Sequence, residues 1–81
     1  MTEYNGHATK GHWNVSLWIG NEEPLYRFAM ACIQGGKAKN PAKWLTISAH
    51  RFLAVYGGEK TPDGFQYTTA RVRAALKDFG E

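Results

Sequence analysis

Leu25, Phe28, Ala29, Cys32 and Ile33 recur at i, i+3, i+4, i+7 and i+8, which puts all five on one face of an α-helix. Asn21 is a good N-cap for that helix, with Glu22, Glu23 and Pro24 in its first turn. The carboxylates complement the positive end of the helix dipole, and proline there gives up an amide that has no intrahelical partner. Gly35-Gly36 is expected to stop the helix. Asn40-Pro41 repeats the same start signal. Leu45, Ala49, Phe52 and Tyr56 then mark one face of the next helix, with Trp44, Ser48 and Val55 beside it and Gly57-Gly58 at its end. Thr61-Pro62-Asp63-Gly64 reads as a turn, since proline presets one dihedral and glycine tolerates positive φ. Thr68 or Thr69 caps a last helix in which Val72, Leu76 and Phe79 share a face, Arg71 and Lys77 lie off it, and Gly80 closes it.

Residues 12–19 fit two patterns. Trp13, Val15 and Leu17 alternate with Asn14 and Ser16 as in a strand, while Trp13, Leu17 and Trp18 share a helical face. A lone strand leaves its ladder groups unpaired, so a short helix is the preferred reading and a strand the alternative. Residues 1–11 are polar and glycine-punctuated, with Asn5-Gly6 a turn pair, and read as an N-terminal arm. The expected fold class is all-α: a small single domain, residues 12–81, of three main helices plus a short N-terminal one.

Length and composition narrow this picture. At 81 residues the chain is one domain at most, and 14% aromatic content supplies much apolar area for a core of that size. Trp13 and Trp18 are the expected anchors of that core. Eleven aromatics (three Trp, four Tyr, four Phe) exceed what so small a core easily hides, so some should be exposed or buried in a homodimer. Cys32 is the only cysteine, which fits a reducing compartment. With no basic-then-apolar leader and no apolar run near 18 residues, neither export nor a membrane is indicated, and the cytoplasm is the expected place.

The candidate chemistry is sparse. His7, His12, His50 and Cys32 lack the close paired spacing of zinc ligands, so no metal or other cofactor is expected. Pairing Cys32 with His50 as a nucleophile and base would take a thiol from an apolar stripe, where it behaves as an inert small hydrophobe. No paired-carboxylate motif, phosphate-binding loop or dinucleotide fingerprint is present, and the expectation is that the protein is not an enzyme. The formal charge of +3, from ten Lys and Arg against seven Asp and Glu, permits a nucleic-acid partner without demanding one. Basic residues gather in two places: Lys37, Lys39 and Lys43 before Trp44, and Arg71, Arg73 and Lys77 on the last helix. These seven are the candidate partner-binding residues. The bland reading of the cations is solvated helix faces. The ten-residue loop 57–66 is too long for a helix-turn-helix corner, which weighs against sequence-specific DNA binding.

Tyr4-Asn5-Gly6-His7, Trp13-Asn14-Val15-Ser16-Leu17-Trp18-Ile19, Glu23-Pro24-Leu25-Tyr26-Arg27, Thr61-Pro62-Asp63-Gly64, Tyr67-Thr68 and Arg71-Val72-Arg73-Ala74-Ala75-Leu76 resemble, in that order, a family of small phage and prophage proteins of unassigned role. Residues 34–58 carry none of the resemblance, and Pro24 stands where that family is expected to have a small residue. The resemblance implies no catalytic or binding residue. By analogy of size and plainness with anti-CRISPR proteins, it implies a protein that binds and blocks a host defence system, a CRISPR–Cas effector complex first among them. A small nucleic-acid-binding regulator using the basic last helix is the alternative, and a virion or assembly accessory protein a further one.

Overall fold

Thr9 opens the first helix by accepting a hydrogen bond from the His12 amide at 3.1 Å, and its hydroxyl also pairs with His12 Nδ1 at 2.7 Å. The computed structural model describes residues 9–81, which form α1 (Lys10–Asn21), α2 (Glu23–Lys39), a 3₁₀ turn (Pro41–Lys43), α3 (Trp44–Tyr56) and α4 (Thr69–Gly80). The fold is the expected all-α domain, and residues 12–19 are helical. The helix begins two residues earlier than the aromatic block, so Lys10 and Gly11, assigned to the arm, belong to the body. Residues 1–8 of that arm lie outside the described residues.

Three boundaries differ from the sequence reading. Asn21 does not cap α2; it is the last residue of α1. Glu22 is a one-residue joint instead: its amide donates to the Trp18 carbonyl at 3.0 Å, and its own carbonyl accepts from the Tyr26 amide at 2.8 Å. Pro24 keeps its predicted place in the first turn of α2. Gly35-Gly36 does not stop α2, which runs a further turn to Lys39. Gly36 is buried where α2 crosses α3, and a Cβ added there would lie 2.7 Å from the Trp44 carbonyl and against Ser48 Oγ. The glycine pair thus gives close approach between helices, and α2 ends where Asn40 turns the chain. Asn40 Oδ1 caps Ala42 at 3.1 Å, but the segment it opens is the 3₁₀ turn, with α3 following from Trp44.

α2 and α3 pack antiparallel through Phe28, whose ring lies 5.6 Å from Phe52 and 5.5 Å from Tyr56. Tyr67, just ahead of α4, extends this aromatic cluster to Phe52 and Tyr56 at 5.8 and 6.0 Å. The core below it contains Val15, Ile19, Ala29, Cys32, Ile33, Ala49, Phe52, Val72, Ala75 and Leu76. The tryptophans are not its anchors. Trp13 and Trp18 are only half-buried, and α1 turns Gly11, Asn14, Val15 and Ile19 inward instead. Placing Trp13, Leu17 and Trp18 on the buried face rotated α1 by about one residue, because aromatic bulk outweighs a single Asn in any hydrophobic pattern.

Candidate functional site

Trp44 stands at the start of α3, half-buried, with its ring edge against Gly80 at the end of α4. Lys37, in the last turn of α2, places its ammonium 4.8 Å from the centre of that ring and donates to the Gly80 carbonyl at 2.6 Å. The contact satisfies a carbonyl at the C-terminus of α4 that has no helical partner, and it favours a cation at the negative end of the helix. Lys39 and Lys43, on either side of the Asn40 corner, are exposed. Lys77 is exposed one turn before Gly80, and Arg73 one turn before that on the same side of α4. Lys37, Lys39, Lys43, Trp44 and Lys77 therefore share the part of the surface where α2 and α4 end and α3 begins, and Arg73, in the first half of α4, continues the exposed stripe from Lys77. Asp78 and Glu81 are the acidic residues beside them.

Arg71 does not join them. It starts α4, nine residues or about 14 Å of helix away from Gly80. Its guanidinium donates to the Gln66 carbonyl at 2.9 Å, lies 5.7 Å from the Phe65 ring centre and rests against Gly11 of α1. A half-buried guanidinium engaged on three sides is a strut between the α3–α4 loop and α1. The run Arg71-Val72-Arg73 looked like two equivalent cations; helical geometry points Arg71 inward and Arg73 outward.

A second constellation escaped the sequence reading because its members lie 45–49 residues apart. Asn14, 1% exposed, donates from Nδ2 to Asp63 Oδ2 at 2.7 Å and accepts at Oδ1 from Thr61 Oγ at 2.7 Å. Trp18 Nε1 donates to the same Asp63 oxygen at 3.0 Å. Thr61 Oγ also accepts from the Phe65 amide at 3.1 Å, and the turn closes with Gly64 N–H on the Thr61 carbonyl at 2.8 Å, Gly64 at φ +91°. The hydrogen bonds from Asn14, then from Trp18, with the nearby Lys10 charge, hold the Asp63 carboxyl below its usual pKa. Each donor is engaged by the turn itself, so the arrangement latches the α3–α4 loop to α1. The Trp13–Ile19 block and the Thr61–Gly64 turn meet here.

Cys32 is buried on the α2 stripe, and desolvation raises its thiol pKa while the Arg51 charge opposes the shift. His50 is exposed on α3. Among the described residues no three His, Cys, Asp or Glu side chains converge as metal ligands, and no helix is long and apolar enough to cross a membrane.

These features define a small four-helix domain with a basic end organised around one tryptophan and an α1-to-loop polar latch. The chain belongs to a family of unknown function, DUF7249, whose model matches residues 1–79. No curated protein and no solved structure matches it.

Proposed function

We propose that this protein acts by binding, through the Lys37–Trp44 end, to an acidic surface of a protein target. The observation that carries this reading is the Trp44 indole, held half-exposed between Lys37 and Gly80 and flanked by the exposed Lys39 and Lys43. A rigid aromatic supplies contact area at little entropic cost, and cations around it steer an acidic partner and fix its register. Lys37, Lys39 and Lys77 also complement the negative ends of their own helices, a purely structural use of the same charges. Lys43 and Arg73 have no such task, which makes them the discriminating positions.

The phage-like motifs make a host nucleic-acid-handling defence machine, such as a CRISPR–Cas effector complex, the target class to test first, with stoichiometric blocking as the mechanism. Co-purification of the tagged protein from host extract should recover such a component, and expression should protect phage from CRISPR targeting in a plaque assay. The Lys43→Glu variant, altered only at an exposed position outside the helix C-termini, should lose both while keeping its helical circular dichroism. Recovery and protection unchanged in that variant, or absent in the wild type, would overturn the reading.

Direct nucleic-acid binding is the second reading, favoured by Arg73 and Lys77 lying one turn apart on the outer face of α4. It requires a mobility shift with duplex DNA that weakens steeply with salt. The inward engagement of Arg71 counts against it, since the first turn of α4 then offers one fewer cation to a phosphate backbone.

A further inference from the structure

An open groove of about 330 Å³ runs between α2 and α3 on the side away from α4, lined by Phe28, Ala31, Cys32, Arg51, Ala54 and Val55. Its walls are apolar, and Val55, at 60% exposure, is one of the two most exposed large hydrophobic residues of the described chain. The volume lies at the lower limit of small-ligand pockets, about 300–1,000 Å³, and the groove is open along its length. That shape takes a few side chains from a helix laid along it and does not enclose a ligand. Ala31 and Ala54, both exposed, leave the backbones of its two walls close to whatever lies there.

The rim decides the occupant. Arg51 is exposed and has no carboxylate partner among the described residues. Arg27 lies one turn from Ala31 on the α2 wall and His50 one turn from Ala54 on the α3 wall. Glu23, one turn before Arg27, is engaged by it at 3.3 Å. Two copies related by a two-fold axis through the groove would set cation against cation, a costly juxtaposition. We propose that the α2–α3 groove is a docking site for an amphipathic helix of a partner protein, with two apolar side chains over Cys32 and Val55 and a carboxylate reaching Arg51. Apolar anchors at i and i+4 in a groove between helices give the affinity, and the ion pair sets the orientation. The site shares no residue with the Trp44 end, so it stands or falls separately from that binding surface.

A displayed library of helical peptides tests the proposal, with leucine fixed at i and i+4 and the flanking positions free to be acidic, basic or neutral. Selection on the wild-type protein, with Val55→Asp as the counter-target, should enrich binders at least tenfold, with Asp or Glu at the flank. Arg51→Glu should invert that preference toward Lys or Arg. Both substitutions fall at exposed positions, and circular dichroism and urea unfolding confirm that the variants fold. No enrichment over Val55→Asp, or enrichment indifferent to charge and to Arg51→Glu, would overturn the proposal. So would a self-association in analytical ultracentrifugation that Val55→Asp abolishes, which would hand the groove to a second copy. The Lys43→Glu variant should select the same peptides as the wild type.

Discussion

Asn14 is a polar residue on the buried face of a helix, and its amide is used from both ends. Removing it leaves the buried Thr61 O–H without its acceptor and takes one of two donors from Asp63. Leaving a buried polar group unsatisfied costs about 1–3 kcal/mol, so Asn14→Ala should lower unfolding stability by about 2–3 kcal/mol in urea titration. Asp63 makes the same latch depend on acid. Folding lowers its pKa, so the unfolded chain binds the proton more readily, and the contribution is fully present above the unfolded value of about 3.9. It is lost as pH falls through the lower folded value. Stability of the wild type should therefore drop below about pH 4 more steeply than that of Asp63→Asn, as thermal melts between pH 2 and 6 would show. The sequence hinted at this site only through the turn Thr61-Pro62-Asp63-Gly64. Which helix the turn would meet was not legible, because hydrogen bonds across 45–49 residues leave no local pattern.

At the scale of elements, the adjacent glycines of α2 separate propensity from packing. In a lone helix both cost about 1 kcal/mol relative to alanine, which is why Gly35-Gly36 read as a stop. In the fold they point to different surroundings. A Cβ at Gly35 meets Arg51 Nη1 at 3.1 Å, the far end of a flexible exposed side chain, whereas one at Gly36 meets the Trp44 carbonyl at 2.7 Å and Ser48 Oγ. Gly35→Ala should stabilise by about 0.5–1 kcal/mol, and Gly36→Ala should destabilise by about 1–3 kcal/mol as the α2–α3 crossing is forced apart. Opposite shifts in the urea midpoint are the expected result, and equal shifts would mean that helix propensity alone decides both. The same crossing buries Ser48 Oγ without a hydrogen-bond partner among the described residues, a further sign that close approach takes precedence there.

Over the whole molecule, one core joins all four helices, and Cys32 sits in it with 5% exposure. Burial and a raised thiol pKa both suppress the reactive thiolate. Alkylation of the folded protein by iodoacetamide at pH 8 should be at least a hundredfold slower than in 8 M urea, at a rate that follows the opening of the domain. Fast labelling of the folded state would show instead that the reagent reaches the thiol through the α2–α3 groove without unfolding. The cations are also distributed at this scale. Lys37, Lys39, Lys43 and Lys77 gather where α2 and α4 end, with Arg73 one turn further back on α4, while Arg71 is spent on the joint between α1 and the loop.

The all-α class, the α2 stripe through Leu25 and Ile33, Pro24 in a first turn, the Thr68 cap and the Gly64 turn were determined by the sequence itself. Caps and amphipathic stripes act within a turn or two, and their energies come from neighbours in the chain. Only the tertiary structure decided that Asn14 and not Trp13 faces inward, that Gly36 is a contact and not a stop, that Arg71 is a strut, and that Trp44 meets Lys37 and Gly80. Each of these depends on what lies opposite a side chain after the helices have packed: Asp63 for Asn14, Ser48 for Gly36, Gly11 for Arg71 and Gly80 for Trp44.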